Sequence, residues 1–213
     1  MWDYLVGERQ QLLFNGYQHV SLVVQAVLVA TLVAVVLAVV VTRVPRLEPV
    51  ANAISAVGLT VPSFALLGLF LPLFGFAVKS AFPAVAFYAA LPILRNAVVG
   101  LAGVDTKLLE SARGMGMSGS RVLMRVQLPL AWPVILAGIR VSTQMSMGVA
   151  AIAAYVLGPG LGRYIFTGLS QIGGADAVHS ALAGTVGVVI LALVLDGLLL
   201  LVGRLTTSRG IRV

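Results

Sequence analysis

The sequence predicts an all-α, polytopic membrane protein with about five transmembrane helices, and two observations carry this prediction. Of the 213 residues, 60% are hydrophobic and only 10% are charged, whereas soluble domains carry about 25% charged residues. The hydrophobic residues also form long runs, each sufficient to cross the roughly 30 Å of a bilayer core as a helix. The composition therefore argues against a water-soluble globule, and we treat residues 1–213 as one transmembrane domain.

Charge and residue types exclude several functional classes. The net charge is +7, but the basic residues are dispersed at the ends of apolar runs, as is typical of membrane helices and not of a nucleic-acid surface. Cysteine is absent, and the two histidines, His19 and His179, lack the spacing of metal ligands. No phosphate-binding glycine-lysine loop or catalytic triad is recognisable. We therefore predict that the chain is not an enzyme and binds no cofactor, metal ion or nucleic acid.

The first predicted span follows a mixed segment. Residues 1–18 combine polar and aromatic side chains, which predicts an amphipathic segment lying at the membrane interface. Residues 20–42 carry no charge and form the first span.

Two prolines interrupt the second span, which is predicted over about residues 51–73. Pro62 and Pro72 should each kink or end a helix. Broken backbone at membrane depth is tolerated only where protein or a watery cavity surrounds it. Thr60, Pro62 and Ser63 are therefore candidate residues of a transport pathway, although a kink that only packs fits the sequence equally well.

Three more spans are predicted over residues 82–103, 133–157 and 179–203. A glycine-rich stretch separates the last two and cannot continue a regular helix. Its candidate gate residues are Tyr155, Gly158, Gly160 and Gly162. Residues 164–170 are expected to form a short helix after it.

Three charged residues lie inside predicted spans, each about 12 Å from the inner end of its helix. They are Arg95, Arg140 and Asp196. Isolated charges at that depth cost several kcal/mol, so they should find partners. We predict that Asp196 pairs with Arg140 or Arg95. The alternative is that Asp196 meets a cationic substrate.

The polar stretch over residues 105–129 is predicted to be a pair of short helices. The Asp105 side chain can cap the first helix, and Gly114 and Gly116 should stop it. Ser118 can cap the second helix, and the proline that ends the stretch should limit its continuation.

This stretch also has a distinctive spacing. It reads Glu110-Ser111-Ala112, three residues, Gly116, nine residues, Val126, one residue, then Leu128 and Pro129. The pattern resembles the EAA loop of permease subunits of ATP-binding-cassette (ABC) importers, with serine replacing the first alanine and valine replacing isoleucine. The resemblance implies the type I ABC importer permease fold, in which this loop forms a coupling helix that docks on a cytoplasmic ATPase subunit.

The resemblance assigns the ATPase-contacting residues of the loop. They are Leu108, Glu110, Ser111, Ala112, Arg113, Met115, Gly116, Met117, Leu128 and Pro129. Leu108, Ala112 and Met115 recur at helical spacing and predict a narrow apolar ridge. The alternative is that this ridge covers the inner surface of the protein itself. The family further implies ATP and Mg on the partner ATPase, a second permease chain that is identical or homologous, and an extracytoplasmic substrate-binding protein.

The basic residues predict the orientation in the bilayer. With the hairpin in the cytoplasm, nine Lys and Arg residues lie inside and three outside. The nine are Arg43, Arg46, Lys107, Arg113, Arg121, Arg125, Arg204, Arg209 and Arg212. The positive-inside rule then places the N-terminus outside and the C-terminus in the cytoplasm of a multi-pass protein of the inner or plasma membrane.

A narrower likeness concerns the substrate. Residues 60–63 (TVPS), 91–96 (LPILRN), 114–117 (GMGM), 133–138 (PVILAG) and 158–162 (GPGLG) look like those of osmoprotectant permeases. The likeness implies import of glycine betaine, carnitine, choline or related quaternary amines. Tyr155 and Phe166 flank the glycine-rich loop and are candidates to stack on a cationic ligand, or alternatively to anchor at the interface.

Three other functions remain open at this point. One is an ABC importer permease for another small solute, such as an amino acid. Another is an ion-coupled carrier, which predicts inverted repeats and a carboxylate relay, whereas we find no repeat and one candidate acid. The third is a scaffold protein, which would not need interrupted spans.

Overall fold

The computed structural model describes residues 1–156 and 158–207, and within them all regular secondary structure is helical, without strands. The helices are α1 (Trp2–Gly7), α2 (Arg9–Arg43), α3 (Glu48–Thr60), α4 (Ser63–Phe74), α5 (Val78–Ala102), α6 (Thr106–Gly114), α7 (Gly119–Val122), α8 (Leu128–Ala153), α9 (Gly162–Ser170) and α10 (Ala177–Thr206). Short 3₁₀ turns cover Pro45–Leu47 and Ala154–Val156, and a π-helical turn covers Leu123–Gln127. The all-α prediction is confirmed.

Four helices of the described residues are long and apolar enough to cross a membrane. They are α2, α5, α10 and the continuous helix Gly119–Val156, which joins α7, the π turn and α8. The pair α3 and α4 is bent by 95° and counts as a fifth, broken span. About five spans were predicted, and the structure has four plus this interrupted one.

Helix α5 lies at the centre, packed against α2 and α8, and is the most buried of the spans. The face of α2 turned inward is a row of small residues at a spacing of four: Ala26, Ala30, Ala34 and Ala38. On α5, a Cβ on Gly100 would lie 3.1 Å from the carbonyl oxygen of Ala131 in α8. Lipid tails are as apolar as leucine, so membrane helices associate largely through such close packing.

Polar groups also cross between the central helices. The Ser142 hydroxyl of α8 donates a hydrogen bond of 2.6 Å to the carbonyl of Ala89 in α5. Both residues are fully buried, where an unpaired hydroxyl would be costly. The bond therefore fixes the register of the two helices.

The predicted boundary at residue 18 is wrong. Helix α2 begins at Arg9 and runs without interruption through the first span. The preceding turn is held to α9, since the Tyr164 hydroxyl donates to the Glu8 carboxylate over 3.1 Å. Burial, reinforced by this carboxylate, raises the pKa of Tyr164 to about 12, so the hydroxyl remains a donor. An interfacial position for residues 1–18 stays a prediction.

The expectation that Pro129 limits the second hairpin helix is also wrong. The helix passes through Pro129, which lies directly after the π turn at the start of α8. The π turn just before it widens the helix where the proline ring would otherwise crowd the carbonyl four residues back. Hairpin and span are therefore one continuous helix.

Parts of the predictions lie outside the described residues. These are Leu157, the expected end of the fourth span, and Arg209 and Arg212 of the basic C-terminus. The short helix expected after the glycine-rich stretch is confirmed as α9.

Candidate functional site

The first turn of α6 is fixed by the predicted cap. The Asp105 side chain accepts a hydrogen bond of 2.9 Å from the backbone N–H of Lys107. This bond satisfies one of the N–H groups that a helix start leaves free. The capping prediction is confirmed.

The end of α6 is a Schellman turn. The N–H of Met117 bonds to the carbonyl of Ala112 over 3.2 Å, and the N–H of Gly116 bonds to that of Arg113 over 2.9 Å. Gly116 has φ +82°, the left-handed conformation that this turn requires and that glycine adopts without a Cβ penalty. Gly114 is simply the last helical residue. Of the two predicted stop residues, only Gly116 is needed by the turn.

The exposed face of α6 differs from the predicted ridge at one residue. Leu108 is 50% exposed and Met115 is 73% exposed, but Ala112 is only 2% exposed. Ala112 therefore packs inward, and Ser111 stands between the two exposed apolar residues. Leu108 and Met115 leave their side chains free on the surface, which counts against the alternative that they cover the protein itself.

The remaining loop residues surround this apolar pair. Glu110 and Arg113 are exposed, Met117 and Leu128 are half-buried, and Pro129 is exposed. Within residues 1–156 and 158–207, Glu110 has no ion-pair partner. Ser118 stands at the N-cap of α7 as predicted, but its side chain makes no capping bond there.

A side-chain hydrogen bond joins the hairpin to the bundle. Gln127 donates from Nε2 to the carbonyl of Leu101 at the end of α5, over 3.1 Å. Gln127 closes the π turn. The loop is thus joined to the centre of the bundle at the point where the hairpin becomes a span.

Asp196 and Arg140 form the predicted ion pair between α10 and α8. Nε and Nη2 of Arg140 donate to Oδ1 and Oδ2 of Asp196, both over 2.9 Å. This two-pronged geometry is the strong form of the interaction. Arg95 is exposed and makes no ion pair among the described residues, so the predicted three-residue cluster is corrected to a pair.

The break between α3 and α4 falls where the proline sequence places it. Val61 precedes Pro62 and is extended, with φ −63° and ψ 125°, because a proline disfavours the helical conformation in the residue before it. The Tyr88 hydroxyl of α5 donates a hydrogen bond to the carbonyl of Val61. Tyr88 thus satisfies a backbone group at the break, as membrane depth demands. Thr60 and Pro62 are exposed, and Ser63 is half-buried.

Removing the Tyr88 hydroxyl should loosen the break. Tyr88→Phe leaves a carbonyl unpaired, and we expect a loss of about 1–3 kcal/mol in unfolding free energy. Thermal unfolding of the purified protein in detergent, followed by circular dichroism, measures it. Tyr17→Phe, which removes an exposed hydroxyl on α2, should change nothing. Equal melting of both variants and wild type would contradict this role for Tyr88.

The three glycines after α8 are all buried, and each permits a close approach. A Cβ on Gly162 would lie 2.0 Å from the carbonyl oxygen of Ala151, and one on Gly158 would lie 2.5 Å from that of Ala153. Gly160 has φ +117° and packs on the ring of His19. Their backbone shapes the loop, and their lack of side chains lets it lie against the helix ends.

His19, which the sequence showed only as an improbable metal ligand, lies at a junction of three elements. It is fully buried and its Nε2 lies 3.1 Å from the carbonyl oxygen of Met147. It thereby links α2, α8 and the glycine loop. The sequence feature that could have indicated a buried role for His19 is its position as a single histidine at the start of an apolar run.

Aromatic rings from three elements meet beside this loop. The ring centroid of Tyr155 lies 4.7 Å from that of Phe64 and 5.3 Å from that of Phe166. Tyr155 and Phe166 were candidates from sequence, whereas Phe64 and Tyr88 were missed. Nothing in the sequence links Phe64 to Tyr155, since 91 positions separate them and only the bend at Pro62 brings them together.

Comparison with known proteins identifies the family of this chain. Residues 14–208 match the family described as binding-protein-dependent transport system inner membrane component. The chain belongs to that family. It is the permease subunit of an ABC importer, a transport protein of the inner membrane, as the EAA-like spacing predicted.

Curated relatives resemble the permease over nearly its full length. It is 41% identical over 202 residues to the choline transport system permease protein OpuBB of Bacillus subtilis, covering 95% of this chain and 91% of that protein. It is 37% identical to the glycine betaine/carnitine/choline transport system permease protein OpuCB of the same organism, covering 100% and 96%. It is also 37% identical to the osmoprotectant import permease protein OsmW of Salmonella typhimurium, covering 98% of each.

A solved structure supports the fold. The permease matches a chain of the MetNI methionine ABC transporter in an inward-facing conformation, with a TM-score of 0.77 over 92% of this chain and 96% of that one. At 20% identity this likeness concerns the fold alone. The predicted type I importer permease fold is confirmed.

Proposed function

We propose that this permease imports quaternary-amine osmoprotectants, such as glycine betaine, carnitine or choline, coupled to ATP hydrolysis on a separate subunit. The observation that carries the proposal is identity of 37–41% over nearly the whole chain to permeases named for these solutes. The chain contributes the membrane passage and the coupling surface, and ATP and Mg belong to the partner ATPase.

The coupling loop has the shape that docking on another protein requires. Leu108 and Met115 present an exposed apolar pair on a helix whose two ends are fixed by Asp105 and Gly116. Methionine suits an irregular groove because its unbranched side chain adapts its shape. The polar side chains of Glu110 and Arg113 around the pair would set the register at the rim.

The continuous helix Gly119–Val156 supplies the mechanical link. Its 38 residues correspond to about 57 Å at 1.5 Å per residue, enough to reach from the hairpin across the whole bilayer. Closure of two ATPase subunits would move the hairpin, and this helix would carry the motion to the aromatic and glycine-rich end. Rigid-body motion of this kind switches a transporter between inward and outward access.

The remaining partners and the orientation belong to the same proposal. Five spans enclose little pathway alone, so a second permease chain, identical or homologous, would complete it, and an extracytoplasmic binding protein would deliver the solute. The hairpin would lie in the cytoplasm, with the N-terminus outside and the C-terminus inside. The break at Thr60, Pro62 and Ser63 and the loop with Tyr155, Gly158, Gly160 and Gly162 would then line or gate the outer half of the pathway.

An ion-coupled carrier is disfavoured by the ion pair. Such a carrier needs a carboxylate free to exchange protons or ions, and both oxygens of Asp196 accept from Arg140. The same geometry disfavours direct contact of Asp196 with a cationic substrate. An importer for another small solute, such as an amino acid, remains the second candidate.

Uptake into proteoliposomes tests the proposal. The permease is reconstituted with its ATPase subunit and binding protein, and uptake of glycine betaine, carnitine, choline and methionine is compared with and without ATP. We expect ATP-dependent uptake of at least one quaternary amine and none of methionine. Methionine uptake alone, or uptake that persists without the ATPase, would refute the proposed function.

A charge on the coupling helix should uncouple the ATPase. Met115→Glu places a carboxylate in the expected groove, and we predict at least a roughly tenfold weaker association with the ATPase subunit. Met115→Leu keeps an apolar side chain and should bind within a factor of about two. Association is measured by co-purification at graded salt and by transport-coupled ATP hydrolysis. Normal association of the glutamate variant would place the docking surface elsewhere.

A further inference from the structure

The aromatic rings beside the glycine loop form one connected surface. Phe64 opens α4, Tyr155 lies in the 3₁₀ turn after α8, and Phe166 belongs to α9. Tyr155 stands between the other two, tilted by 53° to Phe64 and 62° to Phe166. Tyr155 is 59% exposed and Phe64 is 48% exposed. We refer to these three residues as the aromatic triad.

The backbone beneath the aromatic triad is held in place on two sides. Tyr88 bonds to the carbonyl of Val61 just before Phe64. The N–H of Ala77 bonds to the carbonyl of Val156, the neighbour of Tyr155, over 3.1 Å. The rings are therefore mounted on a fixed frame, which is the arrangement expected of a binding surface.

We propose that the aromatic triad is a subsite for the quaternary ammonium group of the substrate as it passes the outer half of the permease. This inference rests on the proposed function. A trimethylammonium group spreads its positive charge over methyl groups, and the faces of aromatic rings carry partial negative charge that attracts such cations.

The chemistry of the aromatic triad suits weak, transient binding of the cationic group and not tight binding. It contains no carboxylate, so attraction comes from the ring faces and apolar contact alone. A transport pathway needs sites that are favourable enough to enter and weak enough to leave. Tight selection belongs to the binding protein, and the aromatic triad receives the cationic group from it.

Two other roles would use the same rings differently. Anchoring at the membrane interface depends on aromatic shape and apolarity, and packing against a second permease chain depends on volume. Apart from contacts between rings, which the edge-to-face pair Phe70–Phe74 controls for, neither role depends on the electrostatic quadrupole of the ring. Stepwise fluorination separates these roles, because it withdraws charge from the ring face while the ring stays apolar and close to its original size.

The experiment places phenylalanine with one, three or five fluorines at position 64 or 166 in the reconstituted full transporter. Phe74 is the matched control, since it lies on the same helix α4, is 47% exposed, and makes an edge-to-face contact with Phe70 outside the aromatic triad. Uptake of choline at saturating binding protein is measured, together with assembly of the complex by size-exclusion chromatography.

We expect the uptake rate to fall stepwise with fluorination at positions 64 and 166, by about three- to tenfold at five fluorines. The series at position 74 should be flat, and assembly should be unchanged throughout. Tyr155→Leu, which removes the central ring, should lower uptake by at least as much.

Flat series at positions 64 and 166 in a complex that assembles and transports would overturn the subsite and leave the proposed function standing. A fall that parallels lost assembly would also overturn it, because the rings would then serve an interface. If the wild-type complex imports no quaternary amine, the proposed function fails, and the subsite fails with it.

Discussion

Replacing Asp196 with leucine is expected to destabilise the permease by about 3 kcal/mol, since it leaves the Arg140 guanidinium inside the bundle without its partner. The side chains of Arg140 and Asp196 are only 33% and 17% exposed, and both carboxylate oxygens are used. An unpaired charge at this depth must be neutralised or find water. Thermal unfolding of the purified protein in detergent, followed by circular dichroism, measures the loss.

The double variant Arg140→Met/Asp196→Leu tests whether the instability of Asp196→Leu comes from the unpaired charge of Arg140. Replacing both partners with apolar residues of similar size removes the unpaired charge, and we expect most of the stability to return. Arg95→Met is the matched control, because Arg95 lies at a similar predicted depth but is exposed. Arg95→Met should lower the unfolding free energy much less than Asp196→Leu does. A double variant as unstable as Asp196→Leu would contradict the pairing as the source of stability.

Gly116→Ala is expected to weaken coupling to the ATPase. Position 116 has φ +82°, and an alanine there costs about 1–2 kcal/mol in the left-handed conformation. The turn after α6 would open part of the time, and we expect association with the ATPase subunit to weaken by about five- to thirtyfold. The measurement is ATPase co-purification together with ATP-driven uptake.

Gly114→Ala is the control for that substitution. Position 114 is helical, and a Cβ there would meet no atom within 4 Å. Alanine favours helix over glycine by up to about 1 kcal/mol, so coupling should be unchanged or slightly improved. If both glycine variants behaved alike, the Schellman turn would not be what positions the coupling surface.

Features that depend on residues close in sequence were predictable, in the hairpin and in the spans. The Asp105 cap and the stop at Gly116 follow from the backbone needs of helix ends, which nearby side chains meet. The break at Pro62 follows from the restriction that a proline places on the residue before it. The depth of charged residues in their spans likewise narrowed the partners of Asp196 to two arginines.

Three predictions failed because residue spacing and depth along a helix do not fix which way a side chain faces or how the helix is wound. Ala112 fits an exposed ridge by spacing, but it is only 2% exposed and faces inward. Pro129 would end a regular helix, yet the π turn before it lets the helix continue. Depth did not distinguish Arg95 from Arg140, because the rotation of each helix about its axis is set by packing.

Hydrophobic runs, proline positions and the spaced hairpin motif were enough to establish a polytopic α-helical permease, because bilayer thickness and backbone geometry act on short stretches of chain. The tertiary structure alone decided which arginine reaches Asp196, how sharply the second span bends, and that Phe64, Tyr155 and Phe166 meet. These outcomes depend on the rotation and tilt of whole helices. Helix rotation and tilt follow from close packing between helices that are distant in the chain, so a pattern within one helix does not determine them.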